Sequence, residues 1–251
     1  MRGNPLAFIP ESSTLPIFIF SPTETPQIVS FEGTGFVTNH LIFITCWHCV
    51  RHQLSNNRKY VAVIKSQEGA GWKAIDLTNL EQDANGNDIA TANIERVPEI
   101  TPMLSIAADS LLMGTDVCTY GYPLTDKRKE SGKMQYILNG RYLEGYIMRG
   151  FYYDHHEYGM VKSYELNFPT AAGLSGSPLI RIGSAEVVGV IYGNNDVATI
   201  EHASRVDPET GIREPEIQRI ISFGLAHYTD TLREARGKAT QGKTIAEYHA
   251  R

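Results

Sequence analysis

Cysteine is scarce in this chain: its 251 residues include three. An odd number cannot close into a full disulfide framework, so the fold has to rest on its own core. Long apolar runs are missing as well. The longest, at 15–20 and 41–46, fall well short of the roughly 20 residues that a membrane-spanning helix needs. The opening Met1-Arg2-Gly3-Asn4-Pro5 is not followed by the long apolar stretch and small residues of a secretory leader, so none is expected. With free thiols, this leads to the expectation of a reducing, cytoplasmic compartment. Positive charge is not in excess either. Lys and Arg number 23 against 28 Asp and Glu, a formal net charge of −5, which speaks against nucleic acid or anionic membrane as partners. The local run Lys127-Arg128-Lys129 is flanked by Asp126 and Glu130 and reads as a solvated loop. No helix-period run exceeds three turns until the C-terminal end.

What is present is ordinary in bulk and β-like in pattern. Apolar residues at 42% and charged residues at 20% suit a soluble globular protein. The length suits one large all-β unit or two small packed domains. Short β-branched and aromatic runs predict strands at 16–20, 27–31, 35–45, 60–65, 72–77, 116–121, 136–147, 161–167, 177–182, 186–192 and 219–227. Turn chemistry separates them at Asn56-Asn57, Asn85-Gly86-Asn87, 126–132 and Asn194-Asn195-Asp196. The stretch 95–105, with Pro98 and Pro102, reads as a connection between two β halves. The polar, acid-rich segment 194–218 is longer than a hairpin needs and reads as a functional or partly disordered loop. A short helix is predicted at 229–236, capped by Thr229 and stopped by Gly237, ahead of a polar tail that is loose or used for contacts.

Three segments carry chemistry. In Gly173-Leu174-Ser175-Gly176-Ser177-Pro178, just ahead of the apolar Leu179-Ile180, the flanking glycines can leave the serine hydroxyl exposed. They also let the N–H groups of Gly173 and Ser175 turn inward as an oxyanion hole. A plain Gly/Ser turn between strands would look similar. It is not a Gly-x-Ser-x-Gly elbow, because Ser177 holds the last position and a strand follows. A serine hydroxyl is a weak nucleophile until a base takes its proton, so an imidazole is needed within reach. His48, in Thr45-Cys46-Trp47-His48-Cys49-Val50 at the end of an apolar strand, is placed for that role. A carboxylate on the other ring nitrogen would fix the tautomer and stabilise the imidazolium. Asp88, in Asn87-Asp88-Ile89-Ala90, closes a turn-rich loop ahead of a small apolar pair, with Asp76, Asp83, Asp109 and Asp116 as competitors.

Together with Gly33-Thr34-Gly35-Phe36-Val37, these segments resemble the chymotrypsin/trypsin-like serine peptidase family, in its bacterial or viral-type branch. The likeness runs from about 16 to 236. It implies an all-β fold of two six-stranded antiparallel Greek-key barrels with a short C-terminal helix. An N-terminal barrel, 1–105, would carry His48 and Asp88. A C-terminal barrel, 106–228, would carry Ser175, with helix and polar tail at 229–251. The implied activity is serine endopeptidase, acting through an acyl-enzyme on a protein or peptide substrate. It needs no metal and no organic cofactor, and leaves room for a regulatory protein partner. The resemblance puts Pro169 and Thr170 at the base of the primary pocket, Tyr192, Gly193 and Asn194 along one side, and Gly224 opposite. None of these is acidic, so an uncharged, medium-sized residue before the cut is expected. Thr170 with the serine hexapeptide is similar to Glu-specific relatives, which usually add a histidine where this chain has Ile191.

The chain departs from the family in places. Leu174 stands where zymogen-activated members carry an aspartate, so activation by N-terminal trimming is not expected. No cysteine lies near Gly33 to pair with Cys49. Cys46 and Trp47 replace two alanines, and Tyr192 replaces the small serine beside the catalytic aspartate. Other readings compete. Cys46-Trp47-His48-Cys49 also fits a thioredoxin-like redox motif. Zinc on Cys46, Cys49, His48 and His52 would lack a distant second pair of ligands. His155-His156 fits a turn or a substrate rim. A catalytically silent two-barrel module that binds peptides or joins an assembly is the alternative of a different class, with Tyr192 as the residue that would disrupt the site.

Overall fold

A computed structural model describes residues 10–22, 27–54, 57–66, 71–101, 104–130, 133–202, 205–206, 213–214 and 217–250. A first antiparallel sheet is built from β1 (Thr14–Ser21), β2 (Gln27–Val37), β3 (Ile42–Thr45), β4 (Lys59–Lys65), β5 (Trp72–Asp76), β6 (Thr78–Gln82) and β7 (Ala90–Asn93). Its strand order is β5-β4-β1-β2-β3-β7-β6. Alternation along β1 explains its central place. Leu15, Ile17 and Ile19 enter the main core, while Phe18 points the other way and packs with Val61 and Val63. That second face is covered by Phe31 and by Tyr136, whose hydroxyl donates to the Val29 carbonyl at 2.7 Å.

The second sheet takes β8 (Ser105–Ile106), β9 (Asp116–Gly121), β12 (Arg141–His155), β13 (Gly159–Leu166), β14 (Pro178–Arg181), β15 (Glu186–His202) and β18 (Ile217–His227). Because β14 pairs with both β9 and β15, six of these strands close into a ring, and β8 adds to β15 in parallel. Two small hairpins stand apart from it: β10 (Asp126–Glu130) with β11 (Lys133–Ile137), and β16 (Arg205–Val206) with β17 (Arg213–Glu214). The two-barrel, all-β expectation therefore holds, with β6 and β8 as seventh strands. One apolar cluster runs from Phe36 and Ile44 through Ile180 and Val190 to Leu225, so the two barrels share a core.

Several local expectations are corrected. The run 35–45 is two strands, because Leu41 adopts a left-handed φ of 58° and reverses the chain. The run 136–147 likewise splits at 138–140. Residues 126–130 of the supposed loop form strand β10, which pairs with β11. The segment 194–218 is largely a β-ribbon rather than a loop: β15 runs on to His202 and pairs with β18 from Val190↔His227 to His202↔Ile217. Its polarity misled because a ribbon reaching past the barrel is exposed on both faces, so no alternation is imposed. Of the acids that this segment was expected to be able to lend the substrate pocket, Asp207 and Glu209 lie outside the described residues, as does the side chain of Glu201.

The C-terminal tail is also built in rather than loose. Thr229 is not the cap of helix α1 (Thr229–Glu234): Tyr228 holds the N-cap position without a side-chain cap hydrogen bond, and the Thr229 hydroxyl donates to the Val188 carbonyl at 2.6 Å. The backbone N–H of Arg236 donates to Asp83 at 2.9 Å, and Asn93 donates to the Ala239 carbonyl at 3.2 Å. A second helix, α2 (Ile245–His249), starts with a capping box between Thr244 and Glu247. Ile245 and Ala239 are too few to signal an apolar face, yet both are buried. Ile245→Ala is therefore expected to cost about 2–4 kcal/mol in urea denaturation. A cost below about 0.5 kcal/mol would return the tail to a loosely attached segment. Among the described residues, no helix is long and apolar enough to cross a membrane.

Candidate active site

Strand β3 ends at Thr45, and a short 3-10 turn, Trp47–Cys49, follows and carries His48. Asp88 comes from the turn between β6 and β7. That turn is tied by Asp83, which accepts from Asn87 at 2.6 Å and from the Arg236 N–H, and whose own N–H donates to the Ile89 carbonyl. The competing acids are occupied or elsewhere: Asp83 holds this turn, and Asp76 pairs with Lys59 at 2.5 Å. Asp88 meets His48 at two points. Its Oδ1 accepts the His48 backbone N–H at 2.8 Å, and its Oδ2 lies 2.7 Å from Nδ1. Asp88 is 1% exposed and the His48 side chain 29%, so the pair is dry on one side and open on the other.

Electrostatics follows from that burial. Burial raises the Asp88 pKa, but His227 and His48 outweigh it and hold the carboxyl well below the usual carboxylate range. Burial lowers the His48 pKa, and the Asp88 hydrogen bond leads the opposing contributions that carry the imidazole above its ordinary value. The Tyr158 phenol, half-buried nearby, is raised first by burial and then by the Asp88 charge.

Ser175 comes from the second barrel, on the turn ahead of β14, yet β2 of the first barrel holds it. Its carbonyl accepts the Thr34 N–H at 2.9 Å, and the Thr34 hydroxyl donates to the Gly173 carbonyl at 2.7 Å. Gly173 has φ +98°, and a Cβ there would stand 2.6 Å from the Tyr122 carbonyl oxygen, so glycine is required. The N–H groups of Gly173 and Ser175 make no hydrogen bond among the described residues. The Ser175 hydroxyl donates to the Tyr192 carbonyl at 3.3 Å, and no hydrogen bond joins it to His48.

The residues expected at the pocket are partly gathered. Thr170 and Asn194 are locked together: the Thr170 N–H and hydroxyl reach Asn194 Oδ1 at 2.7 and 2.8 Å, and Asn194 Nδ2 donates to the Thr170 carbonyl at 2.6 Å. The Thr170 hydroxyl also lies 2.6 Å from the Gly193 carbonyl, and Gly224 donates its N–H to Phe168 beside them. The Tyr192 side chain faces elsewhere. Its hydroxyl meets Ser163 at 2.7 Å and its ring lies 4.5 Å from that of His227.

Three groups at this site were not singled out from the sequence. Thr34 was seen only as part of a glycine-rich strand, and Tyr158 not at all. His227, 1% exposed, stands with Nε2 3.7 Å from Asp88 Oδ2. Its only signal is alternation: it lies two residues past Leu225 in β18, on the face turned toward the shared core. The proposed zinc set does not assemble. Cys46 donates to the Ile191 carbonyl at 3.1 Å and Cys49 to that of Ser175 at 3.6 Å, while His52 is exposed. The nearly all-β architecture also removes the thioredoxin-like reading.

A family profile described as a trypsin-like peptidase domain matches residues 33–190. Among solved structures, the active form of the Rv3671c protease from M. tuberculosis aligns with a TM-score of 0.52 at 20% identity, covering 87% of this chain and 77% of that one. The HtrA-type protease AlgW with a decapeptide aligns with a TM-score of 0.53 at 12% identity, covering 88% of this chain and 62% of that one. No curated protein sequence matches.

Proposed function

The chain belongs to the trypsin-like peptidase domain family, and from that premise we propose that it is a serine endopeptidase using Ser175, His48 and Asp88. The observation that carries this reading is the two-point contact of buried Asp88 with His48. It fixes the tautomer with Nδ1 protonated and leaves Nε2 facing the open side as a base. Ser175 would attack the peptide carbonyl while His48 takes its proton and later gives it to the leaving amine. The unengaged N–H groups of Gly173 and Ser175 would hold the oxyanion. The first barrel would thus supply base and orienter, and the second the nucleophile. In an unliganded enzyme the hydroxyl–imidazole contact is often long and tightens with substrate bound.

The edge of β15 supports a protein or peptide substrate added as a strand. At Tyr192–Asn194 one edge is bonded to β18, while backbone bonding on the other ends at Ile191; beyond it the Tyr192 and Gly193 carbonyls meet only the Ser175 and Thr170 hydroxyls, and no strand lies alongside among the described residues. The AlgW structure, which carries a decapeptide, is consistent with that class of substrate. With Thr170 and Asn194 satisfied by one another, and the nearby acid Glu165 held by Asn195 and Arg149, an uncharged residue before the cut is favoured. Leu174 is fully buried in the second core, which supports a site that does not depend on N-terminal trimming. The three buried free cysteines agree with a reducing, cytoplasmic setting. The test is labelling with a fluorophosphonate, read by intact mass. One adduct is expected on wild type and none on Ser175→Ala. A folded wild type that takes none would favour the silent peptide-binding module, which the missing Ser175–His48 hydrogen bond also fits.

The pH dependence has a definite sign. Only neutral His48 accepts the serine proton, so kcat/KM rises as pH climbs through the His48 pKa. Asp88 holds that pKa up, so the acid limb is expected above about pH 6.5, the ordinary imidazole value. It should move to lower pH in Asp88→Asn. An acid limb at or below the ordinary value in wild type would contradict the pairing.

A further inference from the structure

We propose that His227 is a positioning residue that grips the Asp88 carboxylate from behind, giving an imidazole–carboxylate–imidazole line through His48, Asp88 and His227. The inference rests on the endopeptidase reading for its place in the reaction. Tyr192 occupies the position where the family's small serine would support the aspartate, and its hydroxyl is committed to Ser163 at 2.7 Å. Asp88 nevertheless needs a second hold. A carboxylate offers about four lone-pair sites, and His48 takes one on each oxygen. Oδ2 also faces His227 Nε2 at 3.7 Å.

His227 is 1% exposed, and among the described residues neither of its ring nitrogens has a hydrogen-bond partner. An orphaned imidazole in a core costs free energy and calls for a reason. The tautomer with the proton on Nε2 aims a donor at Asp88. At 3.7 Å the contact is an ion-pair approach just beyond hydrogen-bond length, and a shift of a few tenths of an ångström would close it. Tyr192 then has a structural part: its ring lies tilted at 32° against His227, centroids 4.5 Å apart, and keeps the imidazole turned toward the carboxylate. The other titratable groups that face this spot are Cys46, Tyr158 and, across Tyr192, His155.

Cys46, Asp88 and His227 also offer three ligand atoms within 4.8 Å, the makings of a metal site. Two facts weigh against that use. The Cys46 thiol already donates to Ile191, and burial pushes its pKa far up, so the thiolate a metal needs is costly. No fourth protein ligand joins the set among the described residues.

The test compares His227→Gln, whose amide N–H can replace Nε2–H, with His227→Leu, which fills the space and donates nothing. Thermal denaturation first establishes that both are folded, and the Gln variant keeps the comparison decisive if the Leu variant is not. Two readouts follow: kinetics on a cleaved peptide, and the downfield proton resonance of His48 Nδ1–H. The Gln variant should stay within a few-fold of wild type. The Leu variant should lose roughly 10–100-fold in kcat with little change in KM, the scale at which groups behind an imidazole act in metal sites. Its acid limb should also rise, because Asp88 then shares less of its charge, and its downfield resonance should move or broaden. An unchanged acid limb and resonance in the Leu variant would overturn the proposal, as would equal losses in both. So would a cobalt–thiolate absorption band in wild type that Cys46→Ala abolishes. The resonance needs no turnover, so a wild type that fails to react with fluorophosphonate would sink the peptidase reading while still deciding whether His227 fixes the Asp88–His48 pair.

Discussion

Ser175→Ala is expected to reduce turnover of a cleaved peptide by on the order of 10⁴–10⁶, with His48→Ala falling in the same range. The reason is in the geometry. The imidazole is held by a buried carboxylate at 2.7 Å whose second oxygen also grips the His48 backbone, so the proposed base would be fixed before substrate arrives. A fixed base has one task, and without the serine hydroxyl it has no proton to take. The two losses should therefore not add: the double variant should be no slower than either single one. KM should change little, since neither side chain lines the Thr170–Asn194 corner. Residual hydrolysis above background would remain from the backbone donors of Gly173 and Ser175. Turnover that survives Ser175→Ala within tenfold would end the assignment of this residue as nucleophile.

The largest stability effect is expected at Gly176→Ala. Gly176 has φ +86°, and a Cβ there would overlap the Thr34 carbonyl oxygen and the Thr45 hydroxyl. Neither can withdraw. The carbonyl is β2 backbone, and the hydroxyl donates to it at 2.7 Å in a buried hydrogen bond. The Gly176 N–H is itself bonded to Ile191 at 2.8 Å, so the turn cannot swing away. The conformational part alone costs about 1 kcal/mol. Displacing β2 should bring the total to roughly 3 kcal/mol or more, measured by urea denaturation. Gly159→Ala is the control: φ is +68°, but a Cβ there meets nothing within 4 Å. It should cost about 1 kcal/mol. If the two substitutions cost the same, the close approach of the barrels at Thr34 does not constrain the serine turn.

The strand pattern was legible where one face is buried and the other differs from it. Asp116–Gly121 is found where expected, because β9 runs in the ring between β12 and β14 and its buried residues cluster. Legibility failed in two opposite situations. The ribbon of β15 and β18 is solvated on both faces beyond the barrel and reads as a loop. The short β7, Ala-Thr-Ala-Asn, is too small and polar to announce a strand, yet it lies beside β3 and places Asp88.

The sequence by itself determined the chemistry on offer. A serine between glycines, a histidine after an apolar strand and an aspartate closing a turn are local features, legible because each depends on neighbours along the chain. It also determined the β character, since alternation and turn residues are written in short windows. Tertiary structure alone decided which groups meet. Asp88 rather than Asp83 faces His48 because Asp83 is consumed in tying the tail at Arg236. Thr34 became the strut under Ser175, and His227 the group behind Asp88, through contacts that join residues 141 and 139 positions apart in the chain's numbering. Such contacts form where two barrels close on one another, and no window of sequence contains both partners.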